Sequence, residues 1–369
     1  MLILAFGYSY GIYYTYFMNE FNLSNTSFAS LWSAEVIVAT IFSPLAGYML
    51  QRFSIQKITL LAALLSAIGL TASGLVTNFL QLYITYGVFM GIAVSITGNI
   101  PIININSYFK KNRGIPLGIV LSGVGIGIII FPLISESLIS LYDWRSTLII
   151  LGLSCGLLLF FSSMIIRSLS KSIINVINTS AVQITQKLYK SPKFLSLYII
   201  AILAFIHSTV LLLYISPYSL ELGFSHLAAA FAISMVGVGS ILARLVVGAL
   251  SNKVNKNTIL LVTFLLQSIT AFLFISYVSD YLLYVYALLF GMFYGSTLIS
   301  LYSGLNDIIP TRQFPYYLGI FHTAFGIGSL IGPLSSGFLL DIYGDFQIVF
   351  LQLLIVSLFG SIMLYKFRF

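Results

Sequence analysis

Residues 239–254 read GSILARLVVGALSNKV, and from Ile233 to Ser251 every residue except Arg244 is apolar, small or hydroxylated. A run of that length and composition crosses a ~30 Å hydrocarbon core as a helix. An arginine within it costs at least ~2.5–3.5 kcal/mol near the helix centre, so other protein must shelter it from lipid. The stretch therefore predicts a bundle of spans rather than a single anchor.

The composition agrees. Of 369 residues 59% are apolar and 7% charged, against about 25% charged in soluble domains. With a mean hydropathy of +1.04, most of the chain has lipid as its solvent. Cys155 is the only cysteine, which excludes disulfides and cysteine-based metal sites. His207, His226 and His322 lack metal-ligand spacing. No nucleotide-binding G-x-x-x-x-G-K-[ST] occurs, and no paired carboxylates or nucleophile–base pair suggest an enzyme or a cofactor. Met1 opens directly into an apolar stretch without a basic n-region or a cleavage site. The first span thus begins at the start codon, or the true N-terminus lies upstream.

Twelve apolar runs can be counted, at about 1–18, 28–50, 58–76, 79–106, 114–140, 146–166, 194–219, 226–250, 257–279, 281–308, 315–340 and 346–365. With the N-terminus inside, fifteen of the seventeen Lys and Arg fall on the cytoplasmic side. Only Arg145 lies outside, and Arg244 stays within a span. The net charge of +8 is then a topological signal, not a nucleic-acid footprint, and both termini are expected in the cytoplasm. The basic segment 167–193 divides residues 1–166 from residues 194–369, six spans on each side. Pro192 stops any helix before the seventh span.

The two halves repeat at an offset of 201 residues. Gly47 matches Gly248, Arg52 matches Lys253, Gly125 and Gly127 match Gly326 and Gly328, and Pro132 matches Pro333. Gly118 pairs approximately with Gly319. Such symmetry between six-helix halves is that of a parallel-repeat transporter, with its site at the midplane between them.

The motifs resemble the major facilitator superfamily, whose fold of two six-helix bundles they imply. GALSNKVNKN (248–257) is similar to its cytoplasmic loop motif, with Asn252 in place of the usual Asp, and GYMLQRFSIQK (47–57) is a weaker copy with Gln51 at the acidic position. Gly47, Arg52, Gly248, Asn252 and Lys253 would form that latch, softened by the two amides. YFKKNRGIPLGIVLSGVGIG (108–127), YDWRSTLIILG (142–152), YSYGIYYTYFMNEF (8–21) and ARLVVG (243–248) resemble segments of the monocarboxylate transporters and oxalate–formate antiporters. There are departures. Tyr13-Tyr14-Thr15 stands where monocarboxylate transporters carry a first-span lysine. Ser240 stands where some have an aspartate, and Phe325 where the oxalate transporters have a lysine.

Two readings of Arg244 follow. As structure, it holds a salt bridge or reaches toward the inner interface, about six residues away. As function, its fork binds a substrate carboxylate and cannot lose its charge. The resemblance implies the second. With no other basic residue inside a span, a dianion would bring an unpartnered charge, so a small monoanion is expected.

Around it, Ser240, Tyr14, Asn99, Tyr294, His322 and Phe325 are candidate pocket residues. Glu35 and Asp307 are candidate proton carriers, each with the plainer reading of a carboxylate bonded to its neighbours. Asp307 could instead pair with Arg312, the latch loop or Arg244. Gly123 and Gly127 are expected to face Gly239 and Ala243, and Ser43 and Gly47 to face Gly328 and Gly332, across the interface between halves. The sequence thus predicts a monomeric, plasma-membrane secondary transporter of a small organic monoanion, balanced by a proton or a counter-anion. The alternatives are a carrier of neutral or amphipathic solutes and a non-transporting sensor with the same fold.

Overall fold

The computed structural model describes residues 3–109, 114–166, 190–250, 254–276, 279–310 and 313–366. Asn252, Lys253 and Arg312 lie outside the described residues, as does most of the 167–193 segment. At Gly47, Asn99 and a few other helical positions only the backbone is described.

Twelve helical segments follow in order. The first, α1, is a 3₁₀ run (Ile3–Tyr13) that continues as an α-helix (Tyr14–Phe21). Then come α2 (Asn25–Arg52), α3 (Ile55–Ser73) and α4, whose parts are Phe79–Leu82, a π-helical stretch Tyr83–Met90, and Gly91–Tyr108. They are followed by α5 (Gly114–Leu141), α6 (Trp144–Ile166), α7 (Pro192–Glu221) and α8 (His226–Leu250). The last four are α9 (Lys256–Ser276), α10 (Asp280–Ile308), α11 (Phe314–Tyr343) and α12 (Gln347–Lys366). Among the described residues, α2 to α12 are each long and apolar enough to cross a membrane.

Short polar residues start these helices where the apolar runs begin. Ser24, Ser54, Asn78 and Ser191 each accept a backbone N–H three residues on, which satisfies a donor no helix can pair internally. Gly344, at φ 68°, ends α11 in the left-handed region open to glycine. Large apolar side chains such as Ile41, Leu64, Phe161 and Phe272 stay exposed, forming the outer face that lipid would cover. Five helices carry an internal proline: Pro44, Pro101, Pro132, Pro217 and Pro333.

Across the halves α5 packs on α8, α2 on α11, and the 3₁₀ run of α1 on α7. Glycines set these approaches, but not the ones expected. A Cβ on Gly118 would sit 2.6 Å from the Arg244 carbonyl oxygen, and one on Gly248 2.8 Å from that of Gly114. Gly125 lies against Gly237 and Ser240. Gly239 instead faces Leu288 and Met292 of α10, and Gly328 and Gly332 face Ile202 and Ile206 of α7, all within their own half. On α11 the cross-half positions are Gly326, against Thr40, and Gly337, against Asn25 and Thr26. The reason is helical phase. At about 100° per residue, positions 11 apart share a face, whereas Gly239 lies about 200° from Gly237 and Gly127 about 180° from Gly118.

Gly118 and its approximate repeat mate Gly319 therefore respond oppositely to a methyl group. At Gly319 a Cβ meets nothing within 4 Å, so Gly319→Ala stabilises by roughly 0.5–1 kcal/mol through helix propensity. Gly118→Ala forces α5 away from α8 and costs about 1–3 kcal/mol. Melting of the two variants in detergent micelles reads the difference.

One end of the bundle is tied by a carboxylate. Asp341 of α11 accepts hydrogen bonds from the Asn25 and Thr26 backbone N–H groups (2.7 and 3.0 Å), from Asn25 Nδ2 (3.0 Å) and from Thr26 Oγ1 (2.6 Å). It thus holds the first turn of α2 from the opposite half. At the same end Arg145 pairs with Glu20, and Trp144 Nε1 donates to that carboxylate at 2.6 Å.

Candidate functional site

A cavity of about 180 Å³ lies between the halves, lined from α1, α2, α4 and α5 on one side and α7, α10 and α11 on the other. That is below the ~300–1,000 Å³ of pockets that take drug-sized ligands, so its occupant is small. Six aromatic rings line it: Tyr8, Trp32, Phe205, Tyr294, Tyr302 and Phe325. Phe205 stacks on Phe325 with centroids 4.0 Å apart, and Tyr302 Oη lies 3.1 Å from His322 Nε2. Tyr294 Oη donates to Tyr8 Oη at 3.1 Å, joining α10 to α1 across the halves.

Glu35 is the carboxylate in this wall. It is 4% exposed, and its Oε2 has no hydrogen-bond partner among the described residues. The apolar run of α2 carries it into the interior, where Tyr10 of α1 and Tyr86 of α4 flank it. The Tyr86 hydroxyl is the polar group beside it, and a buried carboxylate oxygen that lacks a well-formed hydrogen bond is expensive, which leaves a place for a partner from the cavity.

Arg244 stands immediately behind the wall. Its side chain is fully buried; Nη1 donates to the Leu121 carbonyl at 2.6 Å, while Nε and Nη2 have no partner among the described residues. The Tyr294 ring lies over the guanidinium, 5.2 Å from centroid to Cζ. Leu121 and Tyr294 both line the cavity, so one aromatic ring separates a buried cation from the space. No carboxylate pairs with Arg244 among the described residues, which removes the salt-bridge reading of this cation.

The structure thus brings Glu35, Tyr294, His322 and Phe325 to one cavity, with Arg244 behind it. It places the other candidates elsewhere. Tyr14 donates to Asn25 Oδ1 at 2.5 Å, near the Asp341 tie, because it lies on the helical turn beyond the cavity. Ser240 is buried in the α5–α8–α10 seam, its hydroxyl donating back to the Gly237 carbonyl at 2.9 Å. Asp307 is in an ion pair with Lys256, its side chain 57% exposed. It sits in the last turn of α10 beside the first turn of α9, so it serves neither Arg244 nor a buried proton path. Of the latch candidates, Arg52 lies over the Tyr48 ring at 4.8 Å and Gly248 packs on Gly114. Tyr8, Trp32 and Tyr302 were not anticipated. In a chain with 24 tyrosines only the rarity of tryptophan offered a signal, at Trp32.

The family model described as Major Facilitator Superfamily matches residues 1–303 and 256–369. Among curated proteins the chain is similar to Monocarboxylate transporter 12 of Xenopus laevis, 27% identical over 87% of this chain and 76% of that protein. It is also similar to Monocarboxylate transporter 6 of Homo sapiens, 25% identical over 95% of this chain and 74% of the relative. Monocarboxylate transporter 4 of Rattus norvegicus is 25% identical over 95% and 77%.

Proposed function

Because the chain belongs to the major facilitator superfamily, as a multi-pass transporter related to the monocarboxylate transporters, we propose that its cargo is a small organic monoanion. One observation carries this reading: a buried guanidinium whose Nε and Nη2 lack partners, one ring away from the cavity between the halves. A carboxylate that reached Arg244 past Tyr294 would receive a charge-assisted fork of hydrogen bonds. It would also neutralise a cation that otherwise stands alone in a low-dielectric interior.

Charge balance then assigns Glu35. With Arg244 positive and the cargo negative, the loaded site is neutral only when Glu35 carries a proton. A Glu35 that binds its proton with the cargo and loses it on release couples the two fluxes. Residues 1–166 and 194–369 rock against each other around this site, joined by 167–193, with both termini in the cytoplasm of a cell whose plasma membrane holds the monomer. Neither nucleic acid nor a cofactor enters this scheme.

The test is uptake of labelled lactate, pyruvate and acetate into proteoliposomes, with and without an inward proton gradient. We expect saturable uptake of at least one of them, concentrated several-fold when the gradient is imposed. Uptake of an uncharged solute, with no carboxylate moving, would overturn the reading in favour of a neutral-solute carrier gated by Arg244.

A further inference from the structure

The cavity wall itself is not what a simple anion would select. Its carboxylate, Glu35, is buried and partnerless at Oε2, and six aromatic rings surround the same space. Among the described residues no Lys or Arg lines it. A carboxylate and six aromatic rings lining one space suit a cation, because the negative faces of Tyr, Trp and Phe attract an ammonium. Arg244, behind Tyr294, is an anion site. One small molecule satisfies both only if it carries both charges.

From this juxtaposition we propose that the site takes a small zwitterion, an amino acid whose ammonium group binds ionised Glu35 while its carboxylate binds Arg244. The proposal rests on the carboxylate reading of Arg244 and extends it. Neutrality of the loaded site has two solutions: a monoanion with Glu35 protonated, or a zwitterion with Glu35 ionised. The ammonium and the proton therefore compete for one carboxylate, and the two cargo classes respond to pH in opposite directions. The titratable groups facing Glu35 are Tyr10 of α1 and Tyr86 of α4, with Tyr8 of α1 and His322 of α11 in the same wall and Arg244 beyond Tyr294. Of these only His322 ordinarily titrates between pH 5 and 8, so it is controlled directly.

Propionate and β-alanine are the probes, since they share a carbon skeleton and differ by the ammonium group. Labelled uptake of each into proteoliposomes is measured between external pH 5.5 and 7.5, with glycine and γ-aminobutyrate as competitors to find the spacing the site accepts. We expect β-alanine to be taken up and to compete with propionate. Propionate uptake rises at least fivefold as pH falls, while β-alanine uptake declines by a similar factor. These opposite slopes persist in His322→Gln. In Glu35→Gln β-alanine uptake falls at least tenfold and propionate loses its pH dependence and its accumulation, whereas Glu35→Asp recovers part of both.

If propionate moves while β-alanine neither moves nor competes, the zwitterion proposal falls and the monoanion reading stands. If β-alanine moves and propionate does not, the zwitterion proposal stands and the monoanion reading falls. If neither moves, both fall. Equal loss of both cargoes in Glu35→Gln, with Glu35→Asp no better, makes Glu35 structural and overturns the proposal.

Discussion

Monocarboxylate uptake falls by roughly 30-fold or more in Arg244→Ala, because removing one partner of a buried, hydrogen-bonded charge pair costs about 2–5 kcal/mol and each 1.4 kcal/mol is tenfold. Arg244→Lys loses roughly tenfold or more: it keeps the charge and forfeits the planar fork that engages both carboxylate oxygens. The side chain also does structural work. Nη1 holds the Leu121 carbonyl and the guanidinium sits on the Tyr294 ring, and a buried carbonyl left unpaired costs about 1–3 kcal/mol. Melting in micelles is therefore measured beside uptake. A variant that melts like the parent and still transports would remove Arg244 from the site. One that melts like the parent and does not transport places the loss in binding.

The second large effect is expected at the other device that joins the halves. Asp341→Ala removes an acceptor of four hydrogen bonds from the first turn of α2. Hydrogen bonds to a charged group are worth about 1.5–3 kcal/mol each, and those here are weakened by exposure to solvent. Losing about 2–3 kcal/mol in total shifts the balance between closed and open arrangements at this end by roughly 30- to 150-fold. Spin labels at Asn22 and Tyr343, both exposed and close to the tie, report it. The variant should show a longer and broader distance distribution than the parent, and an unchanged distribution would deny Asp341 that role. Cys155 is buried and competes little for thiol-directed labels.

How much of this was legible in the sequence depends on the scale. Of the twelve spans expected from apolar run length, α2 to α12 are long and apolar enough to cross a membrane among the described residues, and Pro192, expected to stop any helix before the seventh span, is the first residue of α7. The 201-residue repeat even carried tertiary information: Gly125 packs on α8 and its mate Gly326 on α2, each facing the other half. The expected Gly123–Gly239 and Gly47–Gly328 pairings failed because four-residue spacing identifies a small stripe but not the direction in which it points. Only the phase of the whole helix fixes that. Arg244 and Glu35 were conspicuous as charges in apolar runs. Tyr8 and Tyr302 were not, because a tyrosine lining a cavity and a tyrosine filling a core look alike until the helices are assembled.

The prolines give the cavity level a mechanical character of its own. A proline inside a helix cannot donate to the carbonyl four residues before it. For Pro44 that carbonyl belongs to Thr40, and for Pro333 to Ser329, both in the cavity wall on the packed helices α2 and α11. Each helix is thus one strut short where it borders the cargo. These two helices, packed on each other across the halves, are softest at that height, so bending there changes the shape of the chamber while the stiffer segments above and below keep their form.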